Sequence, residues 1–118
     1  MFFKKQIIWF KLFESLIAAN AQIAEGRVST ISVNNKKICI AHTHEGFFAV
    51  QDKCPHNGAS LGNGFCTAQG SIVCPVHRYS FDLKTGRATS GGGDAARTYP
   101  LEVREDGIYI GFEKTVWF

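Results

Sequence analysis

The sequence predicts an all-β, antiparallel fold. Short apolar runs are punctuated by turn residues, few stretches hold a helical period, and the C-terminal part ends in a pair of alternating segments. Ile7 to Phe13 reads as a first strand. Ser15 to Ala24 carries Ala18, Ala19, Ala21 and Ala24 behind a Ser15 cap and reads as a short helix or turn. Arg27 to Val33, Lys36 to His42 and Phe47 to Gln51 follow as further strands. Asn34-Asn35 and Glu45-Gly46 supply hairpin turns, so the first four strands form a meander. Near the end, Thr98 to Arg104 and Gly107 to Phe112 make a hairpin around Asp106-Gly107. Leu101/Val103 and Ile108/Ile110 there have the period-two alternation of half-buried strands. The segment from Lys53 to Gly93 is different, being rich in Gly, Asn, Ser, Cys and His. It reads as loops on a rigid scaffold, where function concentrates.

At 118 residues the chain has the size of one domain, expected over residues 1–118 around a hydrophobic core. Its 45% hydrophobic content, with ten Phe, three Tyr and two Trp, lets it bury enough apolar surface to outweigh its ordering entropy. The formal charge is +3, and the Lys and Arg residues are spread along the chain. Nucleic-acid recognition needs a dense basic stripe, so no nucleic-acid partner is expected. Lys4 and Lys5 ahead of Ile7, Ile8, Trp9 and Phe10, with Ala19-Asn20-Ala21 beyond, imitate a secretion signal. Lys11 and Glu14 interrupt the apolar stretch such a signal requires, and no twin-arginine pair precedes it. Nothing approaches the roughly 18 apolar residues that span a bilayer. A cytoplasmic protein without membrane attachment is the expectation.

Two of the four cysteines stand in matched company: Cys54-Pro55-His56 and Cys74-Pro75-Val76-His77. The seventeen residues between His56 and Cys74 are enough for two loops that face one another across a metal site. Two Cys and two His suit tetrahedral zinc, and equally a 2Fe-2S centre in which two His replace two Cys on one iron. Zinc pairs of the common kind put both Cys on one loop and both His on a helix, whereas here each loop offers one of each. In the mixed arrangement one iron takes Cys54 and Cys74 and the other takes His56 and His77. A closed zinc site remains the alternative. A Cys54–Cys74 disulfide does not suit a cytoplasmic chain.

These motifs, followed by Phe81-Asp82-Leu83-Lys84-Thr85-Gly86-Arg87, closely resemble those of Rieske-type ferredoxins and the Rieske domains of ring-hydroxylating oxygenase systems. Asn57-Gly58-Ala59-Ser60-Leu61 is similar to the segment covering the first loop, and Tyr99-Pro100-Leu101 to Gly111 is similar to the closing hairpin. The resemblance covers roughly residues 7 to 112. It implies a small antiparallel β-barrel or sandwich with a two-loop cluster-binding subdomain at about 53–93, holding one [2Fe-2S] cluster near the surface. The implied task is one-electron transfer from a reductase to a terminal oxygenase or reductase, by a monomer that is not itself an enzyme. An oxygenase would need a further domain with a mononuclear iron held by two His and a carboxylate. A small subunit of a larger oxidoreductase, such as a nitrite reductase, and a zinc-stabilised interaction module are the alternative expectations. With two thiolates offset by the oxidised cluster core, the protein would stay near +3 and fall to about +2 on reduction, favouring partners with an acidic docking face.

Departures from the family pattern carry their own expectations. The cysteines that clamp the two loops in respiratory Rieske proteins are replaced by Ala59 and Val76, so no clamp forms. The Ser and Tyr that donate hydrogen bonds to the cluster there are replaced by Tyr79 and Phe81, which points to a potential in the lower part of the Rieske range. Arg78 stands where the family usually has Gly, which bears on the backbone of the second loop. Ser90 to Asp94, with its three glycines, replaces a Pro-containing cover and suggests a looser one. Cys39 reads as an ordinary strand residue, and Cys66 as a packing residue rather than a reactive thiol. His42 and His44, two apart on a strand, read as exposed polar residues near a hairpin rather than a metal pair. Trp9 is expected to be buried. Trp117 is a candidate partner anchor, and Arg78 and Tyr79 either meet a partner or shape the loop.

Overall fold

The computed structural model of the chain describes residues 2–89 and 93–117. In chain order the elements are β1 (Phe3–Phe13), α1 (Leu16–Gln22), β2 (Val28–Val33), β3 (Lys36–Thr43) and β4 (Gly46–Gln51). A 3-10 turn (Leu61–Asn63) then precedes β5 (Phe65–Cys66), β6 (Ser71–Val73) and β7 (Ser80–Asp82). β8 (Thr98–Tyr99), β9 (Leu101–Arg104) and β10 (Gly107–Trp117) complete the fold. They form three antiparallel sheets, ordered β1-β10-β9, β2-β3-β4-β8 and β5-β6-β7. The sheets do not close into a barrel; the first two face each other as a sandwich.

The expected four-strand meander is corrected to three. β1 pairs along its length with β10, placing Phe10 opposite Ile110 and Ile8 opposite Phe112, and it has no ladder with β2. The cause is α1, which carries the chain from one layer to the other. Ser15 caps this helix by accepting a hydrogen bond from the Ala18 amide at 3.0 Å, and Ala19 and Ile23 bury its inner side. β2, β3 and β4 are the meander proper. Asn34 and Asn35, both left-handed at φ 52° and 58°, make the tight turn that this residue pair favours.

The segment expected as one strand from Thr98 to Arg104 is two. Thr98 and Tyr99 pair with β4, and Leu101 to Arg104 pair with β10. Pro100 lies between them, has no amide to give to a ladder, and accepts from the Gly111 amide at 2.9 Å. The chain changes sheets at this corner.

β3 is the centre of the molecule. Every residue from Ile38 to Thr43 is buried. Ile38 and Ile40 face one core, with Phe13, Ala19, Ile23, Ala49, Ile108, Ile110 and Phe112. Cys39 and Ala41 face a second core, with Val50, Cys54, Leu61, Ile72, Cys74, Phe81 and Leu83. The period of two thus turns alternate residues of one strand towards the sandwich and towards the loops that follow it. Full burial of each large apolar side chain here contributes about 1.5–3 kcal/mol.

Other expectations meet the structure unevenly. Cys39 is a fully buried strand residue. His42 is not exposed: it is buried, its Nδ1 lies 2.8 Å from the Ile23 carbonyl at the end of α1, and its ring stacks on Phe47 at 3.9 Å. It ties helix to strand, while His44 is exposed. Trp9 is only half-buried, with the Arg104 guanidinium 5.4 Å from its ring. The side chain of Trp117 and the stretch 90–92 lie outside the described residues. No described helix is long and apolar enough to cross a membrane.

Candidate metal centre

The segment expected as loops contains a small sheet. β5, β6 and β7 pair Phe65 with Val73 and Ile72 with Phe81, giving the loops a rigid floor against the second core. Strands of two or three residues leave no periodicity in the sequence, so composition alone could not reveal them. The first loop rises from the end of β4 and the second from the end of β6.

The first loop is tied to the body by Asp52, a buried carboxylate that the sequence reading passed over. It accepts hydrogen bonds from the Thr30 hydroxyl (2.8 Å), the Ser60 hydroxyl (2.8 Å) and the Gly62 amide (2.9 Å), and its carbonyl accepts from the Leu61 amide at 2.6 Å. Gly62 allows this approach, because a Cβ there would lie 1.8 Å from Thr30 Oγ1. The loop closes on itself through Cys54 N–H to the Ala59 carbonyl (2.7 Å) and Gly58 N–H to the Cys54 carbonyl (2.8 Å). In the second loop the Cys74 amide donates to the Tyr79 carbonyl at 2.7 Å.

The two loops bring Cys54 and Cys74 together. Both are buried, and Cys74 is near enough to act on the Cys54 thiol. Burial is the main influence pushing the Cys54 thiol above its ordinary range, with the neighbouring Cys74 adding to it; the backbone amides of Asn57 and His56 oppose the rise by donating to the sulfur. All four cysteines are free thiols. Asn57 laces the loops together: its amide group is 3.6 Å from Cys74 Sγ, its Nδ2 donates to the Val76 carbonyl at 3.3 Å, and its Oδ1 accepts from the Ala59 amide at 2.9 Å. This last bond is the local turn that asparagine makes two residues ahead, the one signal of its role present in the sequence.

His56 and His77 are exposed, one on each loop. The His56 ring packs on Tyr79 at 3.8 Å between centroids, and its Nδ1 lies 3.4 Å from Asp94 Oδ2. His77 and Arg78 both have left-handed backbones, at φ 60° and 56°. Phe81 is fully buried beneath, and Val76 and Ala59 offer no thiols to join the loops. Among the described residues, no three His, Cys, Asp or Glu side chains converge on a point that can hold one ion. Two buried cysteines and two exposed histidines, one of each on either loop, are the donor types that a two-iron cluster with a separate pair for each metal uses.

A family model described as the Rieske [2Fe-2S] domain matches residues 14–100. The chain belongs to the Rieske family. Its cofactor is accordingly a [2Fe-2S] cluster, and the donor set fits: two buried sulfurs served by amide hydrogens, and two accessible imidazoles. Among Rieske relatives, the 3-phenylpropionate/cinnamic acid dioxygenase ferredoxin subunit of Photorhabdus laumondii is 39% identical over 74 residues, covering 62% of this chain and 70% of that one. A ferredoxin solved in complex with its oxygenase, carbazole 1,9a-dioxygenase, superposes with a TM-score of 0.72 at 25% identity, covering 87% and 92% of the two chains. A Mycobacterium tuberculosis protein described as the small subunit of an NADH-dependent nitrite reductase shares the fold, with a TM-score of 0.76 at 18% identity and coverage of 91% and 96%.

Proposed function

We propose that this chain is the ferredoxin of a ring-hydroxylating oxygenase system, carrying one electron from a reductase to a terminal oxygenase, with Cys54 and Cys74 as ligands of one iron and His56 and His77 as ligands of the other. The observation that carries this reading is the pairing of two adjacent buried thiols with two exposed imidazoles on facing loops. The bound cluster supplies the one-electron oxidation and reduction. Around it, Cys54 and Cys74 hold their sulfurs away from water, and the amides of His56 and Asn57 stabilise negative charge on Cys54. His56 and His77 form the accessible edge through which a partner approaches. Similarity to dioxygenase ferredoxin subunits, and to a ferredoxin caught on its oxygenase, supports this direction of transfer. The chain acts as a carrier component rather than an enzyme, as a monomer in the cytoplasm, folded as one unit over 1–118 with its cluster subdomain at about 53–93.

The test is low-temperature EPR on dithionite-reduced, iron-reconstituted protein, with metal analysis of the same sample. The expected result is two irons per chain and a rhombic signal with the lowered average g of a histidine-ligated centre. Replacing His77 by Ser should abolish that signal while leaving the sandwich of β1, β3 and β10 folded. One zinc per chain in a colourless, EPR-silent protein would overturn the reading.

A further inference from the structure

Four described residues other than glycine have a left-handed backbone: Asn34, Asn35, His77 and Arg78. The left-handed region costs an ordinary residue about 1–2 kcal/mol, and glycine and asparagine are the residues that tolerate it. Asn34 and Asn35 therefore need no further explanation, because the hairpin between β2 and β3 uses residues suited to it. His77 is accounted for by its place in the metal centre. Arg78 is left over. Glycine would adopt the same backbone without strain, yet the chain carries its bulkiest cation there.

Nothing among the described residues rewards that choice. Arg78 is exposed and, among the described residues, makes no hydrogen bond, ion pair or ring contact. The carboxylate on this edge, Asp94, lies against His56 instead. The aromatic ring of this loop, Tyr79, also packs on His56. A strained backbone persisting beside a functional site, with a free side chain, directs attention to what that side chain meets outside the protein.

We propose that Arg78 is a docking residue, its guanidinium beside the His77 edge engaging a carboxylate on the surface of the protein redox partner. The inference rests on the carrier reading above and adds the chemistry of the partner. Arginine suits the task because its planar fork takes a carboxylate through two parallel hydrogen bonds, fixing orientation as well as attraction. Its position would bring the partner's acidic group to the exposed imidazole edge rather than to the far sheet.

The experiment measures oxidation of the reduced holoprotein by two small oxidants of opposite charge, ferricyanide and tris(phenanthroline)cobalt(III), in stopped flow. In each case one electron leaves the protein, giving ferrocyanide or the cobalt(II) complex. The optical spectrum recorded before mixing reports the state of the cluster separately from the rates. At low ionic strength Arg78→Gly should slow ferricyanide by about three- to tenfold and speed the cobalt complex by a similar factor. Both differences should vanish near 1 M salt, where screening acts within about 3 Å. Arg78→Lys should stay within about twofold of the parent for ferricyanide, and Arg78→Gly should hold or raise the melting temperature. A change of both oxidants in the same direction, no change in either, or a loss of thermal stability in Arg78→Gly would overturn the assignment.

Discussion

Cys39 shows how far a single side chain can be moved by its surroundings. Burial at the centre of β3 pushes its thiol up to about 12 from an ordinary 9.0, with the Asp52 carboxylate and Cys66 adding smaller contributions. The raised value has a definite sign for stability. The folded form keeps its proton where the unfolded chain gives it up, so the contribution is complete below pH 9 and is lost as pH climbs towards 12. Between pH 8.5 and 10.5 the loss should come to about 2 kcal/mol. Cys39→Ala should flatten that alkaline fall in urea or thermal unfolding, even though its packing makes it less stable at neutral pH; an unchanged slope would assign the fall to other groups. At this scale the sequence offered the candidates whose residue type alone suggests a role, Cys54, His56, Cys74 and His77. It hid those whose role comes from a distant partner. Asp52 becomes a loop anchor only because Thr30 and Ser60 fold against it, and His42 is buried only because the end of α1 reaches it.

Elements with a clear period or cap were legible: β2, β3, β4, the β9–β10 hairpin and the start of α1. Ser15 makes a specific forecast. Its hydroxyl satisfies one of the amides left free at the start of a helix of seven residues, so Ser15→Ala should cost about 1 kcal/mol. The effect belongs in the melting temperature and should leave the EPR signal unchanged, because α1 buries Ala19 in the sandwich core, apart from the core that contains Cys54 and Cys74. Loss of the signal would mean that the helix supports the metal centre after all. The breaks between elements were harder to see. Thr98 to Arg104 alternates well enough for one strand, yet Pro100 divides it between two sheets, since alternation says nothing about which neighbour receives the hydrogen bonds.

The whole molecule consists of two cores on either side of one sheet. The sandwich core contains no residue from the segment 53–93, whereas the other includes Cys54, Leu61, Ile72, Cys74, Phe81 and Leu83. Removing the metal should therefore loosen one side selectively. Hydrogen exchange on protein stripped of its iron should show rapid exchange between residues 53 and 89 and continued protection in β1, β3 and β10. Uniform loss of protection would mean that the two sides unfold together. Partnership between strands far apart in sequence, above all β1 with β10, was beyond the reach of local pattern. Several antiparallel pairings satisfy the same alternation, and only the path through α1 selects among them.

Because neighbouring positions on β3 face opposite layers, one strand answers to two separate constraints. Changes at 38 and 40 would be screened by the scaffold, while changes at 39 and 41 would be screened by the surroundings of the metal centre. An engineer could vary one set while leaving the other untouched, and natural drift could do the same. A one-residue insertion in β3 would exchange the two sets at once, so this strand should tolerate substitution far better than any change in its length.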